Sequence, residues 1–260
     1  MNRISVITIC FNNPEELLKT CASTDAQAQA PFEHLVIDGS TDGRISEWLE
    51  ATPQPAWRRW ICERDKGIAD AFNKGIQHFR GDLNVFMNSG DTFYDATVLG
   101  QVAEAFAADP ELQWLHGKVR LFRGGQWVIV GKPFEQKKLY RGMRSIAHQT
   151  MYVRRGVFER RGGFDTTLRY SMDYDFLCRI AEEKNTFLPT PLATFAPGGV
   201  SQTAYQKAMA EGRQVFRRYY KAPFKQAVWK LRLDALYFLL NSPVGKTLYR
   251  IKAGLGGANW

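Results

Sequence analysis

The chain has 260 residues, of which 45% are hydrophobic and 13% aromatic, so it is neither a disordered nor a fibrous protein. Its four cysteines are far apart with no CxxC pair, which argues against a disulfide framework or a zinc site and favours a reducing compartment. The N-terminus lacks the apolar core of a signal peptide, and no apolar run approaches the ~20 residues that cross a bilayer. We therefore expect a cytoplasmic protein that is soluble or lies on a membrane surface.

The positive charge is concentrated near the C-terminus. From residue 205 onward, eleven Lys or Arg stand against two acids, and this excess equals the whole formal charge of +9. The preceding residues are neutral as a group. The pattern predicts a neutral body, 1–204, and a basic tail, 205–260. We divide the body further into a ligand-binding half, 1–91, and a second half, 92–204.

The first hundred residues alternate strand and helix four times. The predicted strands are Ile4–Cys10, His34–Ile37, Trp60–Glu63 and Leu83–Met87, and a polar cluster follows each of them. Asn13 is predicted to cap the first helix. This alternation is typical of a doubly wound, mostly parallel sheet with its ligand at the carboxyl edge.

Two of the polar clusters carry candidate acids. The stretch Leu83–Asp91 is apolar and then becomes small and polar, so it delivers the Asp91 carboxylate to the sheet edge. Asp38 follows the second strand and could accept N–H hydrogen bonds from a base. Each acid has a structural alternative, because Asp38 could be an Asx cap and Asp91 could cap the next turn.

The second half changes pattern. Trp114–Arg120 and Gln126–Val130 predict a hairpin, and a strand over Thr150–Val153 follows His148 and Gln149. Ser171 is predicted to cap a helix whose first turn contains Asp173, where the helix dipole favours a carboxylate. Asp173 and Asp175 point about 200° apart, so they cannot both face one cavity. The other acid is expected at the surface.

Six segments together resemble the inverting GT-A glycosyltransferases of family 2, in particular the bacterial exopolysaccharide transferases of the colanic-acid type. They occur in the family's order between residues 4 and 201. The segments are Val6–Asn13, Val36–Gly43, Asp65–Gly75, Asn88–Asp91, His148–Gln149 and Asp173–Asp175. The resemblance implies an α/β GT-A fold, Rossmann-like, with helices flanking a mostly parallel sheet. The basic tail is expected to add a helical extension at the C-terminus.

The resemblance also implies residue roles. Asp173 matches the catalytic base, with Asp175 in reserve, and Asp91 matches the metal ligand. The matching nucleotide-binding positions are Thr8, Phe11, Asn12, Asp38, Asp65, Lys66, Asn73, Ser89 and Gly90. His148 and Gln149 are candidate contacts to the acceptor or the diphosphate, although a histidine before a strand is also a common hydrogen-bonded core residue. The chain departs from the family at Ser89 and Met172, where many relatives carry an acid, and in a shorter loop at Asp38.

The predicted reaction is the inverting transfer of a sugar from a nucleotide-diphosphate sugar to a hydroxyl group. A Mg²⁺ or Mn²⁺ ion held by Asp91 would offset the charge that gathers on the departing diphosphate. Asp173 would take the proton of the attacking hydroxyl.

Basic and aromatic residues alternate along the tail, as in helices that lie on an anionic membrane leaflet. This favours a peripheral location on the inner face of the plasma membrane, which would bring the site to a lipid-linked acceptor. Together with the resemblance, it implies a polyprenyl-diphosphate-linked glycan acceptor in cell-surface polysaccharide synthesis. Alternatively, the apolar residues of the tail pack on the body.

Two rival functions are a nucleic-acid-binding module and a sugar-phosphate nucleotidyltransferase. Acids at the sheet edge repel a polyanion, and Cys10–Pro14 lacks the glycines and basic residues of a phosphate loop. We therefore expect no nucleic-acid partner.

Overall fold

The computed structural model describes residues 2–123, 125–144, 146–197 and 204–241. Gly124, which lies within the predicted hairpin, and residues 242–260 of the predicted tail lie outside the described residues.

The first half has the predicted alternation of strands and helices. Its elements are β1 (Ile4–Cys10), α1 (Pro14–Asp25), β2 (Glu33–Asp38), α2 (Arg44–Ala51), β3 (Arg58–Cys62), α3 (Ile68–His78) and β4 (Leu83–Phe86). The four strands pair in parallel in the order β3-β2-β1-β4, with Ile7 opposite Leu35 on one side and Phe86 on the other. All four carboxyl ends therefore meet at one edge.

The second half extends this sheet with strands of mixed direction. Its elements are β5 (Thr92–Phe93), α4 (Val98–Ala108), β6 (Trp114–Arg123), β7 (Gln126–Val130), β8 (Tyr152–Arg154), α5 (Arg155–Arg161), α6 (Met172–Arg179), β9 (Asn185–Thr194), α7 (Tyr205–Tyr219) and α8 (Pro223–Asn241). Short 3₁₀ turns cover Gln136–Arg141 and His148–Thr150.

The sheet order continues from β4 through β8, β6 and β9 to β5, and β7 pairs with β6 as the predicted hairpin. Strand β8 is antiparallel to both β4 and β6, whereas β9 is parallel to β6. The predicted α/β class is confirmed.

A large apolar cluster joins α3, α5, α6 and α7 on one face of the sheet. Within it, the rings of Phe158 and Phe176 stack with their centroids 4.8 Å apart. Val215 and Phe216 of α7 are buried in the same cluster. The first helix of the predicted tail therefore packs on the body, as the alternative interpretation held. No helix in the described part of the chain is long and apolar enough to cross a membrane.

Two predicted helix caps have different hydrogen bonds from those expected. Asn13 and Ser171 occupy the N-cap positions of α1 and α6, but neither side chain caps its helix. Asn13 Oδ1 instead accepts the Phe11 N–H at 3.1 Å, and Ser171 Oγ donates to the carbonyl oxygen of Ala208 at 3.1 Å. The second bond ties the start of α6 to α7.

Candidate functional site

A cavity of about 1420 Å³ opens at the carboxyl ends of β1 and β4 and extends to α6, α7 and α8. Four acids line it, namely Glu16, Asp65, Asp91 and Asp173. They come from four separate segments of the chain. The topology therefore brings three of the predicted acids, Asp65, Asp91 and Asp173, to one cavity, whereas Asp38 does not line it.

Asp91 is held rigidly by two hydrogen bonds. Its Oδ1 accepts the Ala196 N–H at 2.8 Å, and its Oδ2 accepts a bond from Gln149 Nε2 at 2.9 Å. Only 2% of the residue is exposed, and this burial raises the pKa of Asp91 to about 7. Each carboxylate oxygen keeps a further lone pair after these bonds. A nearby cation would favour the ionised form of this carboxyl.

The loop that carries Asp91 offers two more oxygen atoms. Among the described residues, neither Asn88 Oδ1 nor Ser89 Oγ has a hydrogen-bond partner, although both atoms are buried. Both residues line the cavity beside Asp91. Hard divalent cations such as Mg²⁺ and Mn²⁺ prefer oxygen ligands. Within the described ranges no group of three His, Cys, Asp or Glu could enclose a metal, so this oxygen set fits an ion whose coordination a ligand completes.

Gly90 allows the close packing around this loop. It has a φ of +96°, which glycine adopts without strain, and an added Cβ would lie 2.7 Å from Glu16 Oε2 and 3.1 Å from Ala196 Cβ. Gly90 does not itself line the cavity. The structure thus gives it a role in shaping the site, while its predicted nucleotide contact stays a prediction.

Asp173 occupies the first turn of α6, as predicted, and faces the cavity. Its Oδ1 accepts the Tyr174 N–H at 2.8 Å, and its Oδ2 lies 3.8 Å from His148 Nδ1. Burial raises the pKa of Asp173 to about 6. A carboxylate with a pKa near neutrality that faces a cavity is suited to accept a proton.

His148 lies between the Asp91 loop and Asp173. Its Nε2 is 3.0 Å from Asn88 Nδ2, which can only donate, so the ring proton is assigned to Nδ1 on the side of Asp173. Burial lowers the pKa of His148 to about 4, so the ring is neutral at pH 7. A neutral histidine cannot itself supply the charge that a diphosphate requires.

The loops after β2 and β3 place Asp38 and Asp65 together. Asp38 is buried, and its Oδ1 accepts the Ser40 N–H at 3.0 Å, so the predicted alternative of an Asx turn is present. A Cβ added to Gly39 would lie 1.7 Å from Asp65 Oδ2, which means that the Asp65 carboxylate rests against the glycine. Glycine is required there for this close approach.

Several predicted nucleotide-binding side chains hold the loops together instead of lining the cavity. Thr8 is fully buried and bonds to His34 Nε2 at 2.9 Å, so its hydroxyl does not face the cavity. The Asn12 amide bonds to Thr41 at 2.9 and 3.0 Å. Phe11, by contrast, lines the cavity with its ring exposed.

Lys66 and Asn73 also lie outside the cavity lining. The Lys66 N–H donates to Asp70 Oδ2 at 2.9 Å. The Asn73 amide accepts from the Phe164 N–H at 2.7 Å and donates to the Phe164 carbonyl oxygen at 2.9 Å. Both hydrogen bonds fix a distant loop, so the amide of Asn73 is occupied in this structure.

Asp175 differs from the expectation that it lies at the surface. It is 2% exposed, pairs with Arg179 Nε at 3.0 Å and accepts the Tyr219 hydroxyl at 2.8 Å. It does not line the cavity. The 200° separation placed it correctly on the opposite side of α6, but α7 covers that side. Its reserve role as the base is not supported by this position.

The sequence prediction missed the basic residues that α7 and the 136–144 segment bring to the cavity. Arg141 and Arg213 line it, together with Arg123 and Arg169. A local signal existed, because neither Arg141 nor Arg213 has an acid three or four positions away on its own segment. It also missed Glu211, whose carboxylate accepts the N–H groups of residues 169–171 at 2.7 to 3.0 Å and fixes the loop before α6.

An α/β sheet with one carboxylate fixed at its carboxyl edge and another facing the same cavity defines an enzyme-like site. Residues 5–162 match the sequence model of glycosyl transferase family 2, and the chain belongs to that family. It is therefore a glycosyltransferase, and this confirms the prediction over the rival nucleotidyltransferase.

Curated relatives agree with this assignment. An uncharacterized glycosyltransferase of Mycobacterium tuberculosis is 33% identical over 181 residues, which cover 68% of this chain and 68% of the relative. A glycosyltransferase of PGL/p-HBAD biosynthesis from Mycobacterium bovis is 25% identical over 202 residues, covering 75% of this chain and 78% of the relative.

Solved structures share the fold. A mannosyltransferase of Pyrobaculum calidifontis, in complex with GDP-Man and Mn²⁺, superposes with a TM-score of 0.65 at 19% identity over 98% of this chain and 80% of that chain. S. aureus TarS, in complex with UDP-GlcNAc, gives a TM-score of 0.62 at 17% identity over 82% and 65%. The predicted GT-A fold is confirmed.

Proposed function

We propose that this glycosyltransferase moves a hexose from a nucleotide-diphosphate sugar to a hydroxyl group with inversion at the anomeric carbon. The observation that carries the proposal is that Asp91 and Asp173 line one cavity but have different hydrogen bonds to their carboxylate oxygens. Asp91 is fixed at both oxygens, whereas Asp173 keeps Oδ2 toward His148 without a hydrogen bond of normal length.

In this mechanism the acceptor hydroxyl attacks the anomeric carbon and forms the new C–O bond. Its proton passes to the Asp173 carboxylate, and the bond between the sugar and the diphosphate breaks with the electron pair leaving on the diphosphate. A single displacement inverts the configuration. The neutral His148 beside Asp173 does not compete for the proton at pH 7, because its pKa is about 4.

A divalent cation fits the loop that carries Asp91. We assign Asp91 as its carboxylate ligand, with Asn88 Oδ1 and Ser89 Oγ as the nearby oxygen donors. Bound there, the ion would offset the negative charge of the departing diphosphate. The mannosyltransferase with the same fold was solved with Mn²⁺, which supports an ion of this class.

The relatives support either of two donors. One protein with this fold was solved with GDP-Man and another with UDP-GlcNAc. The discriminating experiment is a thermal-shift panel of UDP-sugars and GDP-sugars with Mn²⁺, because a ligand that binds only the folded state raises the melting temperature. We expect one nucleotide class to raise it and the other not.

The stereochemistry is then read by NMR of the product. An α-linked donor should give a β-linked product. Retention of configuration would contradict the mechanism, and the absence of a shift with every nucleotide sugar would contradict the function.

We also propose that the enzyme works at an anionic membrane on a lipid-linked acceptor for cell-surface polysaccharide. Phe224, Val228 and Leu231 of α8 are exposed and recur at helical spacing, and Phe224 is 78% exposed. Lys225 and Arg232 are exposed beside them on the same helix. An exposed apolar stripe next to cations suits an interfacial helix.

The membrane contact can be tested by sedimentation with vesicles of phosphatidylcholine and phosphatidylglycerol. Replacing Phe224 and Leu231 with Ser should move most of the protein from the pellet to the supernatant. The matched control replaces Phe122 and Ile129, which are exposed on the β6–β7 hairpin. Equal recovery of all three proteins in the pellet would refute this role for α8.

A further inference from the structure

One wall of the cavity carries a concentration of positive charge. The 136–144 segment, α7 and α8 contribute Arg141, Arg144, Arg213, Gln226, Trp229 and Lys230, which we call the Trp229 wall. The acids that line the cavity belong to other segments. The two kinds of charge are thus supplied by separate parts of the fold.

Trp229 contacts two cations of this wall, Arg141 and Arg144, and also Arg232 next to the wall. The guanidinium carbon of Arg141 lies 4.8 Å from the indole centroid, and those of Arg144 and Arg232 lie at 5.5 and 5.4 Å. Tyr140 meets the same ring edge-on at 6.1 Å. Stacking on an aromatic face restrains a guanidinium while its N–H donors stay available.

Several other arginines of the described chain pair with an acid, as in Arg160–Glu183 and Arg179–Asp175, and others do not. Arg141 and Arg213 belong to the second group and line the cavity. Among the described residues neither has a carboxylate partner, and the only hydrogen bond of the Arg141 side chain goes to the Tyr140 hydroxyl. Repulsion between like charges in one wall costs free energy unless an anion binds there.

Two buried polar atoms of the wall also lack partners in the described part of the chain. They are Trp229 Nε1 and Gln226 Oε1, and Gln226 is only 4% exposed. The indole nitrogen can only donate, and a flipped Gln226 amide would present an N–H at the same place. Buried donors beside cations provide the hydrogen bonds that phosphate oxygens accept.

The wall lies on the side of the catalytic base. A Cβ on Gly212, next to Arg213, would lie 3.5 Å from Ser171 Oγ at the start of α6, which carries Asp173. The Tyr174 hydroxyl donates to the carbonyl oxygen of Leu139, so α6 is also tied to the segment of Arg141. The base acts on the acceptor hydroxyl, so an anion held here belongs to the acceptor.

We propose that the Trp229 wall is the subsite for a phosphate or diphosphate group carried by the acceptor. This identification of the acceptor class rests on the proposed function, since it takes Asp173 as the base. The subsite itself predicts anion binding that needs no metal and no nucleotide.

The test is a calorimetric titration of pyrophosphate in metal-free buffer containing EDTA. The test variant replaces Arg141 and Arg213 with Gln. The control variant replaces Arg160 and Arg161 with Gln, which removes the same amount of charge at a place that does not line the cavity. We expect the Kd for pyrophosphate to rise at least about tenfold in the first variant and to change less than about twofold in the control. Trp229→Phe should raise it about threefold, because the ring stays and one donor is lost.

Equal pyrophosphate affinity in the first variant and the parent would overturn the proposal. It would also be overturned if the affinity for the nucleoside diphosphate with Mn²⁺ fell by the same factor, since the wall would then hold the donor. If vesicle binding fell while pyrophosphate binding stayed intact, the cations would serve the membrane instead. Failure of the proposed function has a separate signature, namely that no nucleotide sugar raises the melting temperature.

Discussion

The two acids of the cavity, Asp91 at the sheet edge and Asp173 at the start of α6, both have a raised pKa but differ in exposure and in their hydrogen bonds. Asp91 receives a fixed donor on each oxygen, one from the Ala196 backbone and one from Gln149. Asp173 receives one backbone donor on Oδ1, while Oδ2 lies 3.8 Å from His148. A carboxylate fixed at both oxygens is suited to hold a ligand in place, whereas one with a free oxygen is suited to take up a proton.

A third acid makes the difference clearer. Asp175 is two residues from Asp173 and equally part of α6, yet its carboxylate is neutralised by Arg179 and bonded by Tyr219. Its position stabilises the contact between α6 and α7 and does not reach the cavity. The face of α6 on which an acid lies therefore decides its role: Asp173 faces the cavity, whereas Asp175 joins α6 to α7.

The largest expected effect comes from Asp173→Asn. The substitution keeps the shape of the side chain but removes the proton acceptor, so kcat for transfer should fall by about a thousandfold. Donor binding should change less than about twofold, because the base acts on the acceptor. The measurements are steady-state transfer kinetics and calorimetric binding of the nucleoside diphosphate with Mn²⁺.

Asp175→Asn is the matched control for that variant. It should retain kcat per folded molecule and lower the free energy of unfolding by about 2 to 4 kcal/mol, because it disrupts a buried ion pair. Asp173→Asn should not lower it at neutral pH. The pKa of Asp173 is raised to about 6 in the folded protein. Ionisation of this carboxyl therefore lowers the free energy of unfolding as the pH rises from the carboxyl's pKa in the unfolded chain through about 6.

The pH profile gives an independent measure of the same assignment. Transfer by the parent enzyme should fall as the pH drops through about 6, where Asp173 becomes protonated. A profile that stays flat from pH 8 to pH 5 would refute Asp173 as the base.

The four strands of the first half and the position of Asp91 could be predicted because they depend on local patterns, whereas β5, β9 and the order of the strands in the sheet were not predicted. An apolar run that ends in a polar cluster specifies a buried strand and its edge, and this is sufficient to place Asp91. The roles of Asn12 and Asn73 could not be predicted in this way. Their amides bond to Thr41 and Phe164, 29 and 91 residues away, and only the tertiary structure determines which side of a loop an amide faces.

The tail also shows what the sequence does not determine. Its charge pattern was evident in the sequence, but the pattern does not tell which helix face packs on the body. Phe216 is buried in the core and Arg218 pairs with Asp165, whereas Arg213 faces the cavity. One helix thus contributes to the core, to the surface of the body and to the site.

The second and smaller expected effect comes from Asp91→Asn. The amide oxygen can still accept the Ala196 N–H, and Gln149 can flip to accept from the new amide, so the loop should keep its conformation. A neutral oxygen ligand binds a divalent cation more weakly than a carboxylate does. The apparent affinity for Mn²⁺ in the presence of the nucleoside diphosphate should therefore fall by about ten- to a hundredfold.

The control for this variant is Asp95→Asn, an exposed acid four residues along the same segment whose carboxylate, within the described residues, bonds only to Thr97. Its Mn²⁺ affinity should equal that of the parent. If Asp91→Asn also kept the parent's affinity for Mn²⁺, the Asp91 carboxylate would have only a structural role, like that of Asp175. The difference between the two cavity acids would then lie in stability alone. A loss of Mn²⁺ affinity with an unchanged melting temperature would instead separate the ligand role from the structural one.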